Sequence, residues 1–126
     1  MRITFIRHCE PDYSIDSLTK KGWREAELLA ERLLKMEFKD IYCSPLGRAR
    51  DTAKVYLERA GRSAETKDWL REFLIPIDDP KAGKRNYCWD FLPSYWTVIP
   101  EMYDRDKWTQ TSVMKNAGVL DHYRRV

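Results

Sequence analysis

The chain has 126 residues, of which 23 are basic and 20 acidic, for a net charge of +3. That length supports one domain with a real core but not two. No apolar run is long enough to span a bilayer, and Met1-Arg2 leads into a short strand pattern rather than a signal-peptide core, so the expectation is a cytoplasmic protein without a membrane partner. The basic residues lie scattered as Lys20-Lys21, Arg48 and Arg50, Lys84-Arg85 and Arg124-Arg125. Nucleic-acid binding asks for a denser stripe, whereas a mild excess suits a pocket for a small anion. Cys9, Cys43 and Cys88 are odd in number and far apart, with no C-x-x-C pair, which argues against zinc and against a disulfide framework.

Residues 2–7 alternate and are β-rich, which predicts a first strand. Pro11, Asp12, Ser14, Asp16 and Ser17 make residues 9–18 a loop. Thr19 can cap a helix running to about Met36. Trp23, Ala26, Leu29, Ala30 and Leu33 recur along it at helical spacing and face a core. Asp40–Cys43 reads as a second strand, closed by Ser44-Pro45. A second helix follows from about Leu46 to Ala60, with Ala49, Ala53, Tyr56, Leu57 and Ala60 on its buried side and Gly61 just past its end. A short strand at Ala64–Lys67 completes a β-α-β-α-β order, which predicts a parallel sheet covered by helices.

From Asp78 to Trp108 the chain turns rich in proline and aromatic residues, among them Tyr87, Trp89, Phe91, Tyr95, Trp96 and Tyr103. This stretch reads as an excursion with short helices, either the core of an inserted helical piece or a lid. A last helix is predicted from about Thr111 to Val126.

In a parallel βαβ sheet, ligands bind at the carboxyl ends of the strands. The first predicted strand ends at Arg7-His8. The second ends at Ser44-Pro45, with Arg48 and Arg50 just inside the next helix. The third leads to Leu70-Arg71-Glu72. One sheet edge therefore collects a histidine, arginines and a carboxylate. A neutral imidazole attacks phosphorus well when its other ring nitrogen is held by a hydrogen bond. Guanidinium groups match phosphate oxygens and stay charged. A carboxyl can protonate the leaving oxygen and then deprotonate water. Arginines that carry the charge stabilisation leave no need for a metal.

With these residues in view, the chain resembles the histidine phosphatase (phosphoglycerate mutase-like) superfamily. Arg7-His8 is similar to the R-H-G signature and Leu18-Thr19-x-x-Gly22 to the L-T-x-x-G helix start. The run Ser44-Pro45-Leu46-Gly47-Arg48-Ala49-Arg50-Asp51-Thr52-Ala53 resembles S-P-L-x-R-A-x-x-T-A, and Leu70-Arg71-Glu72 the L-x-E acid. The resemblance covers about residues 1–75. It implies an α/β fold of three layers, α/β/α, on a mostly parallel sheet. It implies His8 as the phosphoryl-accepting nucleophile, Arg7 and Arg48 as the phosphate clamp, and Glu72 as proton donor and later base. No cofactor and no metal are implied, and the partner is a small phosphorylated substrate. Family mutases continue after the acid with histidine-tyrosine-glycine; here Phe73-Leu74-Ile75-Pro76 follows, which favours hydrolysis.

Two departures matter. Cys9 replaces the glycine of R-H-G, where a side chain is either tolerated or crowds the pocket, and a cationic neighbourhood would lower its pKa. The family's second histidine has no counterpart, because His122 sits in a helical pattern and reads as a surface residue. The expectation is therefore the N-terminal portion of a longer domain: residues 1–126 as one histidine phosphatase-like domain, incomplete at its C-terminus, with an aromatic-rich insertion or lid at 78–108. Strand edges left open by a missing neighbour allow pairing with a second chain as a homodimer. The alternative to a phosphomonoester hydrolase is a truncated or non-catalytic chain that keeps the phosphate pocket without turnover.

Overall fold

The computed structural model describes residues 2–125 apart from 80, 82, 84–86, 88 and 89. Lys84-Arg85, Cys88 and Trp89 thus lie outside the described residues. The chain divides into two compact units, Met1–Glu72 and Phe73–Val126, and both helices and small sheets are present.

The first unit is built on two helices, α1 (Lys20–Leu33) and α2 (Gly47–Ala60). Thr19 caps α1 as its sequence predicts, its Oγ1 accepting from the Gly22 N–H at 3.0 Å. Ala30, Leu33 and Tyr56 are buried where the two helices pack, with Leu29, Phe38, Ile41 and Val55 around them. The Phe38 and Tyr56 rings meet edge to face at 6.0 Å. Full burial of a leucine side chain contributes about 1.5–3 kcal/mol, so this seam anchors the unit. Helix α2 ends at Gly61, whose φ of 60° is left-handed.

Two short sheets flank the helices. Segments β3 (Tyr42–Cys43) and β4 (Glu65–Thr66) pair in parallel, Tyr42 opposite Glu65 and Cys43 opposite Thr66, with α2 between them in sequence. Segments β1 (Pro11–Asp12) and β2 (Ser17–Leu18) form an antiparallel hairpin, Pro11 opposite Leu18 and Asp12 opposite Ser17. The sequence reads this stretch as a plain loop, because two-residue strands of Pro, Asp and Ser carry no alternation to detect.

The first strand expected at residues 2–7 does not form. Among the described residues the backbone of Arg2–Arg7 makes no hydrogen bond, and Ile3 and Phe5 are 62% and 88% exposed. Alternation fits a segment to the pleat, but a strand exists only where a second backbone lies alongside. None does among the described residues.

In the second unit Phe91 and Tyr95 are buried with Ile75, Ile77, Met102, Met114 and Val119, and Trp96 and Trp108 pack against them. Its helices are short: α3 (Pro93–Thr97), α4 (Pro100–Tyr103), α5 (Ser112–Asn116) and α6 (Val119–Arg125). The single helix expected over 111–126 is interrupted at Gly118, where φ is 64°. His122 lies exposed on α6.

Candidate active site

The candidate residues lie in the first unit, around the β1–β2 hairpin and the first turns of α1 and α2. Two glycines let hairpin carbonyls approach the helices. A Cβ on Gly22 would stand 2.2 Å from the Glu10 carbonyl oxygen, and one on Gly47 would stand 1.9 Å from that of Asp16. Real side chains do not fit such gaps, so the glycines of the L-T-x-x-G and S-P-L-G-R runs serve close backbone approach. Glu10 ties the hairpin to α1. Its Oε1 accepts from the Thr19 hydroxyl at 2.8 Å, its Oε2 pairs with Lys21 at 2.6 Å, and its N–H donates to Glu25 at 2.9 Å.

His8 is half-buried at the end of the 2–9 segment. Its Nδ1 lies 2.8 Å from the Cys9 carbonyl oxygen. A carbonyl has no hydrogen to give, so Nδ1 is the donor and the neutral ring keeps its lone pair on Nε2. Arg7 is exposed and has no hydrogen-bond or ion-pair partner among the described residues. Both line an open cleft of about 480 Å³ between the segment and α1, facing Glu25, Leu29 and Arg32.

The Cys9 N–H donates to Thr52 Oγ1 at 3.0 Å, and the Thr52 hydroxyl donates to the Arg48 carbonyl at 2.8 Å. A single buried hydroxyl thus joins the His8-Cys9 corner to the turn of α2 that carries Arg48. Burial pushes the Cys9 thiol above its ordinary pKa of 9.0 against the Thr52 hydrogen bond that lowers it. This corrects the expectation of a lowered pKa: desolvation of the thiolate, with the nearby Glu25 carboxylate acting in the same direction, outweighs the Thr52 hydrogen bond.

Arg48 is only 8% exposed. Its Nη1 donates to Asp16 Oδ1 at 2.9 Å and its Nη2 to Glu72 Oε2 at 2.8 Å. The Tyr13 ring lies 5.4 Å from its Cζ, close enough for a cation–π contact. Arg48 Nε is buried and has no partner among the described residues. Asp16 also accepts from the Gly47 N–H at 2.7 Å through Oδ2. Leu46, at the N-cap of α2, has no side-chain acceptor to offer, so a hairpin carboxylate satisfies that helix end instead. Among the described residues no three His, Cys, Asp or Glu side chains gather as metal ligands.

The structure brings Arg48 and Glu72 into direct contact and puts Arg7 and His8 in one cleft. Arg50 is exposed. Asp16 and Tyr13 escape the sequence reading, since a carboxylate meeting an arginine 32 residues away leaves no local pattern. Thr52 lies within the quoted S-P-L motif, but its double hydrogen bond is visible only in the folded chain.

These features coincide with a family. The model of the histidine phosphatase superfamily (branch 1) matches residues 3–76, and the chain belongs to that superfamily. It is 34% identical over 115 residues to a 2,3-bisphosphoglycerate-dependent phosphoglycerate mutase of Thermoplasma acidophilum, covering 82% of this chain and 56% of that protein. It is 37% identical over 67 residues to a protein of Schizosaccharomyces pombe described as a probable phosphatase, covering 46% of this chain and 32% of that protein. The chain thus spans about half the length of the first relative and a third of the second. No solved structure matches.

Proposed function

We propose that the protein is a cytoplasmic phosphomonoester hydrolase that acts on a small phosphorylated substrate through a phosphohistidine on His8. The observation that carries this reading is the fixed tautomer of His8 on a corner tied through Thr52 to the turn bearing Arg48. His8 Nε2 attacks phosphorus, the N–P bond forms as the P–O bond to the leaving group breaks, and Glu72 protonates the departing oxygen. Water then attacks the phosphohistidine, Glu72 takes its proton, and phosphate leaves. Arg7 and Arg48 neutralise the phosphoryl oxygens; loss of one such preorganised donor typically costs about 10²–10³ in turnover. Phosphate taking the Nη2 contact releases Glu72 from its ion pair, so that the carboxylate takes up from solvent the proton it gives to the leaving oxygen and regains one from the attacking water. Phe73-Leu74-Ile75-Pro76 after the acid supports hydrolysis over mutase chemistry. The parallel β3–β4 pair across α2 supports a first unit that belongs to a three-layer α/β/α arrangement on a mostly parallel sheet.

A second reading, phosphate binding without turnover, draws on the Glu72 carboxylate already seated on Arg48. One experiment separates the two: hydrolysis of an aryl phosphate by the purified chain with chelator present, beside the His8→Ala variant. Turnover that the variant loses, with its fold intact, supports the hydrolase. Equal turnover in both removes His8 from the nucleophile's role. Phosphate binding with no turnover in the wild type leaves the second reading.

A further inference from the structure

We propose that Asp16 is a positioning residue for Arg48, pinning Nη1 so that Glu72 holds the guanidinium through Nη2 alone and the Nε–Nη2 edge can pass to a phosphate. This rests on the phosphate-binding role proposed above for Arg48.

Asp16 is the only non-glycine residue with positive φ among the described residues, at 46°. Such backbone is sparsely populated outside glycine, and where surrounding contacts hold it, the strain is a pointer to a role. Its two carboxylate oxygens are divided, Oδ2 on the Gly47 N–H and Oδ1 on Arg48 Nη1. The first contact fixes the carboxylate against the start of α2; the second fixes one end of the guanidinium. From the same hairpin tip, Tyr13 covers the face of that group. What remains is Nη2, on Glu72, and Nε, buried without a partner. A buried donor left unpaired costs about 1–3 kcal/mol, and an anion arriving at that edge would meet both donors together.

Without Asp16, nothing described on Nη1 opposes rotation of Arg48 into a two-pronged pair with Glu72. The residue nearest the phosphate donor would then quench it. Electrostatics alone predicts the opposite sign: removing a negative charge beside Arg48 strengthens its attraction for phosphate. The sign of the effect therefore separates positioning from simple charge.

Asp16→Asn is the informative change. Asparagine tolerates left-handed backbone and its one carbonyl oxygen can still accept from Gly47, but the NH2 that then takes the place of Oδ1 only donates and cannot hold Arg48 Nη1. Inorganic phosphate binding, measured by calorimetry on the purified chain, should weaken about tenfold in Asp16→Asn, the scale of a lost hydrogen bond to a charged group. In a Glu72→Gln background the same change should cost less than about twofold, because the competing carboxylate is gone. A general loss of structure would not be rescued in that way. Equal or tighter binding in Asp16→Asn, or an undiminished loss in the Glu72→Gln background, overturns the positioning role. Phosphate binding by the wild type that vanishes in Arg48→Ala keeps the phosphate role whatever Asp16 does; no binding by the wild type overturns both. Should Asp16→Asn fail to fold, the guanidinium ¹⁵N signals of Arg48 in Glu72→Gln give the test. Separate Nη1 and Nη2 resonances support a group pinned by Asp16, and one averaged resonance overturns the proposal.

Discussion

The Cys9 amide reaches across 43 residues of sequence to the hydroxyl of Thr52, at 3.0 Å, and that hydroxyl in turn donates to the Arg48 carbonyl. The residue beside the candidate nucleophile is therefore held by the same helical turn that carries the candidate phosphate ligand.

Thr52→Val keeps the shape and removes the hydroxyl. It leaves the Cys9 N–H without its acceptor, a loss of about 1–3 kcal/mol that chemical denaturation should detect. Turnover should fall with it, and Thr52→Ser should restore both. A valine variant as stable and active as wild type would mean that the hydroxyl holds nothing in place.

Glu72 sits on Arg48 Nη2 at 2.8 Å and so competes with any phosphate for that donor. Glu72→Gln should bind inorganic phosphate more tightly than wild type while hydrolysing more slowly. The slowing should be far greater for alkyl than for aryl phosphates, whose leaving groups depart without a proton. Slowing both substrate classes alike would remove Glu72 from the acid role.

The Gly47 N–H hydrogen bond, and after it Arg48, hold the Asp16 carboxyl below its ordinary pKa of 3.8, against a partial desolvation that raises it. A lowered folded value means that the contribution to stability is complete above the unfolded value and is lost as pH falls through the folded one. The thermal midpoint of the wild type should therefore lose its advantage over Asp16→Asn as pH drops below about 4. Plotting the difference between the two proteins removes the other acids from the comparison. A difference that is flat from pH 7 to 3 would contradict the assigned shift.

Phe5 is 88% exposed, whereas Leu33 is buried between α1 and α2. Phe5→Ser should change the unfolding free energy by no more than about 0.5 kcal/mol, against about 2–5 kcal/mol for Leu33→Ala. A large cost at Phe5 would place that ring in a core.

What the sequence reveals depends on how local the cause is. Helix α1 is expected over 19–36 and observed over 20–33, because the Thr19 cap and the Ala26-Ala30-Leu33 stripe act within a few turns. Helix α2 begins within one residue of expectation and ends where expected, on Gly61. The first strand fails because Ile3-Thr4-Phe5-Ile6 describes only half of a pairing, and no second backbone lies beside it among the described residues. The candidate site divides in the same way. His8, Arg48 and Glu72 stand in recognisable motifs, whereas Asp16 matters through an ion pair that only the folded chain creates.

The unpaired run before His8 also has a kinetic signature. Amides without hydrogen bonds trade their protons for deuterium at the rate of free peptide, so Ile3 to Ile6 should label at once. Cys9, bound by Thr52, is the first amide from the N-terminus with an assigned acceptor among the described residues. In exchange terms, the candidate nucleophile stands at the frontier between labelled and protected chain.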